Sequence, residues 1–283
     1  MFRIIKNNAL LLLVITVIFS CDKIEEPYMV KSTNVNNIDT STHFRRILIE
    51  DYTGHTCGNC PRSHEKLQDL IEIYGNKLVP ICMHVGSFAK PYSGTKYSTD
   101  YRTPAGDELS QFFGNDNAGL PNGMINRFSL DGNVTLTHSV WQQVIDSLLN
   151  IELEADVKIT NTYNSVANSL DVSVVVTSLT DISSKIKLAV YLKEDSLISC
   201  QMDYAHNPVD IIDYTHKYVM RGAINSTWGD VVGETGMSMN QSITKTYSYT
   251  LNSAWNASHC KIVAFVYYDD TKVIIQADEQ SVL

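Results

Sequence analysis

The chain has 283 residues, with 22 basic and 31 acidic side chains and a net charge of −9 when histidine is neutral. A surplus of acid excludes nucleic acid as the expected partner. Arg3 and Lys6 precede an apolar stretch from Ala9 to Phe19 that is too short to cross a bilayer and has the order of a secretory signal, residues 1–20.

Ile18-Phe19-Ser20-Cys21 resembles a bacterial lipobox, which implies cleavage before Cys21 and lipid on that cysteine. Loss of Arg3 and Lys6 with the signal leaves a mature net charge of −11. Residues 21–43 are rich in Asn, Ser and Thr, as in a flexible tether from the lipid to the first folded element. The expected location is therefore the cell envelope, with the chain held to a membrane through Cys21.

After the tether, Arg46 to Tyr52 reads as a strand that runs into His55-Thr56-Cys57-Gly58-Asn59-Cys60-Pro61. Arg62 to Tyr74 carries Leu67, Leu70, Ile71 and Tyr74 at helical spacing, and Gly75 ends it. Leu78 to Val85 is the next strand, so the crossover predicts a right-handed parallel β-α-β unit. Ser87 to Gly119 is an insertion expected beside Cys57, because parallel strands end on the same side of their sheet. Pro121 precedes a strand at Met124 to Phe128, and Asp131-Gly132 predicts a tight turn into a strand at Val134 to Leu136. Thr137 is positioned to cap a helix whose Val140, Trp141, Val144, Ile145, Leu148 and Leu149 form one stripe.

Near residue 151 the periodicity changes from 3.6 to 2. Alternating runs at Asp156 to Thr162, Leu170 to Thr177, Lys185 to Tyr191, Ile243 to Leu251, Cys260 to Tyr268 and Lys272 to Ala277 predict an antiparallel sandwich over residues 152–283. Asp203, His206, Asp210, Asp213 and His216 crowd a stretch that also holds Tyr204, Tyr214 and Tyr218; such stretches between strands are usually solvated or locally paired. Cys82 reads as a buried thiol in its strand, and Cys200 and Cys260 are left open between pairing and free thiols.

A Cys-x-x-Cys where a strand meets a helix places sulfur near unpaired N–H groups, which favour a thiolate. If the pair turns over, Cys57 is the nucleophile and Cys60 resolves the mixed disulfide, with His55 placed to stabilise the Cys57 thiolate. Two other chemistries use the same residues. His55, Cys57, Cys60 and His64 are four potential zinc or copper ligands, although no second Cys-x-x-Cys completes a familiar site, and no metal or cofactor is assigned. The rival to turnover is a stable Cys57-Cys60 bridge that never exchanges. Haem attachment is excluded, because Pro61 stands where the ligating histidine is needed.

The β-α-β-β-β-α order with Cys-x-x-Cys at its first junction resembles the thioredoxin fold, assigned to residues 44–151. In that family an acid six positions before the first cysteine, here Asp51, is buried behind the pair and relays the proton of the second cysteine. The resemblance also makes Pro121 a cis-proline that presents the edge of Leu120 to a substrate strand. Thr56 and Gly58-Asn59 depart from the Trp and Gly-Pro of thioredoxin itself. Over most of the mature chain the sequence is similar to the outer-membrane protein Omp28 family of Gram-negative lipoproteins. The lipobox, Glu50-Asp51-Tyr52-Thr53-Gly54 into Cys57, Leu120-Pro121-Asn122-Gly123 to Asn126-Arg127, and Asp213-Tyr214 to Arg221 carry that similarity. It implies a thioredoxin-like α/β domain followed by an all-β immunoglobulin-like sandwich on an outer-membrane lipoprotein. Two functions stay open: thiol-disulfide exchange with extracytoplasmic protein thiols or disulfides, and a non-catalytic surface adhesin, receptor or assembly module.

Overall fold

The computed structural model describes residues 43–283. The signal segment, Cys21 and the tether up to residue 42 lie outside the described residues. In chain order the elements are β1 (Ile47–Thr53), α1 (Cys60–Tyr74), β2 (Leu78–His84), α2 (Pro104–Phe113), α3 (Asn115–Ala118), β3 (Asn122–Ile125) and α4 (Trp141–Leu149). They continue as β4 (Ala155–Asn164), β5 (Ser169–Ser178), β6 (Ile186–Glu194), β7 (Leu197–Met202), β8 (Asp210–His216) and β9 (Val219–Ala223). The last are β10 (Asp230–Gly233), β11 (Ser242–Thr250), β12 (Cys260–Tyr268) and β13 (Ile274–Ser281).

β1 and β2 are parallel, with Ile47 opposite Leu78 and Thr53 opposite His84, and α1 is the crossover between them. β3 runs antiparallel on the other edge of β1, with Glu50 opposite Met124. β3 is shorter than the expected Met124 to Phe128, and the expected strand at Val134 to Leu136 reduces to the isolated bridges Gly123 to Leu136 and Leu130 to Asn133. The cause is local. Asn126 and Arg127 both have positive φ, 48° and 52°, which turns the chain out of the sheet before a hairpin can lengthen.

Residues 43–283 form one compact unit. A single eight-stranded sheet runs across residue 151, in the order β13-β12-β6-β9-β2-β1-β3, with β10 also on β6. The join is a short parallel contact between β2 and β9, where Cys82 lies opposite Val219 and Cys82 N–H donates to the Tyr218 carbonyl at 2.7 Å. Three strands thus stand where polar loops were expected: β9, and β7 paired with β8. β4, β5 and β11 make a separate three-stranded sheet in the order β11-β5-β4.

Alternation along the strands assigns the cores. In β6, Leu188, Val190 and Leu192 join Val172, Val174 and Val176 of β5 in one apolar cluster. Ala189 and Tyr191, on the opposite face, join Leu48 and Tyr52 of β1, Phe265 of β12 and Leu109 of α2 in a second cluster that draws on both halves of the chain. Ile47 and Ile49 of β1 pack with Leu67 and Leu70 of α1 and with Trp141, Val144, Ile145 and Leu148 of α4 in a third. Asp51 follows Ile47 and Ile49 in this alternation, beneath α1. Glu50 faces the second cluster, where the Arg127 guanidinium holds it by two hydrogen bonds of 2.8 and 2.9 Å.

Candidate functional site

Cys57 and Cys60 are joined as a disulfide with Cα atoms 5.4 Å apart, and both sulfurs are buried. α1 begins at Cys60 with Pro61 in its first turn, a position where the missing N–H costs nothing. Gly54 is required by close approach: a Cβ there would stand 2.5 Å from the Phe88 carbonyl carbon. The insertion does lie against this loop, with Thr56 N–H donating to the Phe88 carbonyl at 3.0 Å. Its Tyr97 and Tyr101 are buried, while Tyr92 and Phe112 face solvent.

Asp51 is fully buried on β1. Its Oδ2 lies 3.4 Å from Ser63 Oγ, 3.6 Å from His64 Nε2 and 3.8 Å from Cys82 Sγ, and its Oδ1 has no partner. Ser63 also donates to the Cys60 carbonyl at 2.9 Å, tying the carboxyl to the turn that carries the second cysteine. Burial pushes the Asp51 carboxyl up to about 8. His64, one turn along α1, has Nε2 3.0 Å from Thr53 Oγ1 and Nδ1 2.7 Å from the Tyr214 hydroxyl. Burial lowers its pKa to about 4, so the imidazole is neutral at neutral pH.

His55 is buried, stacks on Tyr97 with ring centroids 5.5 Å apart, and donates from Nε2 to the Lys90 carbonyl at 3.1 Å. This hydrogen bond ties the loop before Cys57 to the insertion. Desolvation lowers its pKa, keeping the ring neutral. The Leu120-Pro121 peptide is cis and leads straight into β3. The four donors weighed as metal ligands are engaged elsewhere: the sulfurs with each other, His55 with Lys90, and His64 with Tyr214 and Thr53. Cys82, Cys200 and Cys260 are buried free thiols, so Cys200 and Cys260 do not bridge.

The feature not expected from sequence is the β7-β8 hairpin, which covers the cysteine pair. Met202 N–H donates to the His55 carbonyl at 2.8 Å and Tyr204 N–H to the Gly58 carbonyl at 2.9 Å. Gln201 Nε2 reaches the Gly54 and Cys57 carbonyls at 3.3 and 3.1 Å. The Tyr204 ring lies so close that a Cβ on Gly58 would be 2.5 Å from it. Asp203, buried, accepts from Arg62 of α1 at 2.5 Å and contacts His206 Nδ1 at 2.8 Å, and Asp210 is bound by Lys96 and Tyr97 of the insertion. Asp203 and Asp210 therefore fasten the hairpin to the cysteine-bearing loop and the insertion, while Asp213 faces solvent. The signal for it was the apolar Leu197-Ile198 and the Ile211-Ile212 pair within a polar sequence, too short for alternation to declare a strand.

The sequence model of the family described as "Outer membrane protein Omp28" matches residues 109–282, a range that begins after the Cys57 and Cys60 segment. No curated protein sequence matches. Among solved structures, HBP35 of Porphyromonas gingivalis is similar with a TM-score of 0.61 at 16% identity, over 84% of this chain and 76% of that one. Protein AGR_C_4864 from Agrobacterium tumefaciens is similar with a TM-score of 0.50 at 12% identity, over 86% of this chain and 97% of that one. A domain of the outer membrane lipoprotein Omp28 from Porphyromonas gingivalis matches 46% of this chain and 88% of its own length at 19% identity, with a TM-score of 0.32. For the first two, at these identities, the likeness is one of fold.

Proposed function

Because the chain belongs to the Omp28 family of outer membrane proteins, we propose that it works in the cell envelope, held at the outer membrane by lipid on Cys21, and exchanges disulfides with extracytoplasmic proteins through Cys57 and Cys60. The observation that carries this reading is the buried Asp51 carboxyl. A buried carboxyl whose Oδ1 has no partner costs stability as pH rises above the free-carboxyl range, and a bridge that never opens gains nothing from it. A carboxyl held near pH 8 is suited to take a proton from a thiol and return it. The parallel β1-α1-β2 unit with β3 antiparallel beside it supports a thioredoxin-like reading of residues 44–151. The packing of the β4-β5-β11 sheet on β6 and β12 supports a sandwich reading of the remainder.

In the reducing direction the Cys57 thiolate attacks a partner disulfide, forming a Cys57-partner bond and releasing one partner thiolate, which takes up a proton. Cys60 then gives its proton to Asp51, and its thiolate attacks the Cys57 sulfur. The Cys57-Cys60 bond forms as the Cys57-partner bond breaks, the second partner thiolate leaves, and two electrons have passed to the partner. The reverse sequence oxidises a partner dithiol.

A second reading, a non-catalytic surface or assembly module, is favoured by the burial of both sulfurs beneath the β7-β8 hairpin. The two separate on the reduction potential of the pair in the purified mature chain, measured by glutathione titration. A value of roughly −120 to −270 mV supports exchange, and one below about −300 mV marks a permanent bridge and the binding role. Cys60→Ser offers a cellular check, since exchange leaves partners trapped on Cys57 as mixed disulfides.

A further inference from the structure

A proton taken by Asp51 has to leave a side chain with no exposed atom. Between α1 and β8 the structure has a cleft of about 240 Å³, lined by His64, Cys82, His84, Tyr214, His216 and Lys217 among others, with room for several waters. Asp51 is 0% exposed, and the His64 side chain is 16% exposed, so His64 bridges the buried carboxyl and the cleft. Its two ring nitrogens face opposite ways along that path, Nε2 toward Asp51 Oδ2 at 3.6 Å and Nδ1 toward the Tyr214 hydroxyl at 2.7 Å. We propose that His64, with Tyr214, carries the proton between Asp51 and water in this cleft each time Cys60 ionises, a role that rests on the thiol-disulfide reading above.

His64 is then a positioning residue that acts through Asp51 and touches no sulfur. As the 3.6 Å gap closes, Asp51 gives its proton to the lone pair of His64 Nε2, and the Nδ1 proton passes to Tyr214 as Tyr214 hands its own hydroxyl proton to water in the cleft, so the phenol ends neutral. The reverse passage recharges Asp51 in the other direction of exchange. No electrons move in this step. Ser63, His64 and Cys82 face Asp51 from α1 and β2. Thr53 and Tyr214 face His64, and Glu65, Lys217, His84 and His216 line the rest of the cleft. Burial keeps the Cys82 thiol protonated and keeps His84 and His216 uncharged. His84 and His216 have no hydrogen-bond partner on either ring nitrogen, so His64 is the histidine in this cleft with hydrogen-bonding contacts on both sides. Because burial also disfavours its own charged form, His64 returns to neutral after each passage.

The test is rapid-mixing oxidation of the reduced mature chain by oxidised glutathione from pH 5 to 9, followed by quench and thiol alkylation, for the wild type, His64→Gln, His64→Ala and Tyr214→Phe. The expected result is closure of the Cys57-Cys60 bond slowed at least about tenfold in both His64 variants, by less in Tyr214→Phe, with the reduction potential unchanged and the rate of His64→Ala restored by added imidazole. Rates and pH profiles of the His64 variants that superimpose on the wild type overturn the relay and leave the exchange reading standing. A slowed rate with a shifted potential and no imidazole rescue assigns His64 a structural role and also overturns it. A wild-type pair that does not exchange with glutathione removes both.

Discussion

Arg127→Met tests the reasoning about how β1 is held in the shared sheet. Arg127 and Glu50 are both buried, and the guanidinium meets the carboxylate with Nε to Oε2 at 2.9 Å and a terminal nitrogen to Oε1 at 2.8 Å. The guanidinium carbon lies 5.1 Å from the ring centres of Phe113 and Phe265 and 5.5 Å from that of Tyr267, so the rest of its shell is aromatic. Methionine fills much of the same volume but strands Glu50 as a buried charge, which costs about 3–5 kcal/mol. That is a large share of the 5–15 kcal/mol that stabilises a typical fold. The double variant Arg127→Met with Glu50→Leu removes both charges from an apolar site and is expected to recover to within about 1 kcal/mol of the wild type, or to exceed it. Urea unfolding at pH 7, followed by fluorescence of the buried Trp141, reads both; the midpoint is expected to move without a change in slope. A single variant that costs under about 1 kcal/mol, or a double variant as unstable as the single, refutes the account.

Asp51→Asn is expected to flatten the dependence of stability on pH. Below about pH 4 the folded and unfolded states both hold the Asp51 proton. As pH rises toward 8 the unfolded state ionises and the folded state does not, so the wild type loses up to about 1.4 kcal/mol per pH unit, levelling off above about 8; urea midpoints at pH 5 and pH 8 for the two proteins give the difference. Arg62→Ala leaves the buried Asp203 without its cation and loosens the hairpin, so reduction of Cys57-Cys60 by dithiothreitol should quicken severalfold; an unchanged rate would mean the hairpin does not guard the pair. Gly123→Ala drives a methyl to 2.5 Å from the Trp141 ring and 2.9 Å from the Glu50 carbonyl. With Trp141 buried and unable to retreat, a loss of roughly 1–3 kcal/mol is expected in thermal or urea unfolding.

Strands whose alternation runs for seven or more residues were legible from the sequence: β5, β11 and β12 begin and end within a residue of their apolar runs. α1 was equally plain from Leu67, Leu70 and Tyr74, and Asp51 was placed on the α1 side by the parity it shares with Ile47 and Ile49. Non-local consequences were not legible. β9 is five residues long and contains Arg221 and Gly222; four register pairs hold it to β6, and a single pair joins it to β2. The hairpin over the cysteines is fixed by Asp203 and Asp210 reaching Arg62, Lys96 and Tyr97, pairings separated by more than a hundred residues that no local pattern encodes. His64 was visible as a histidine one turn after Cys60, but its link to Tyr214 required the fold.

The main-chain bonds from Met202 and Tyr204 to the His55 and Gly58 carbonyls make the hairpin a competitor tethered to the groove it fills. A tethered competitor acts at an effective concentration in the millimolar range or above. Any visiting peptide that uses the same carbonyls finds its apparent affinity lowered by the fraction of molecules in which the hairpin is lifted, tenfold for each 1.4 kcal/mol of docking energy. Small free thiols, which bind with almost no energy of their own, react with the pair at a rate scaled by that fraction. A protein partner that grips a second surface of this chain has binding energy to set against that handicap, so the cover would favour sustained encounters over collisions.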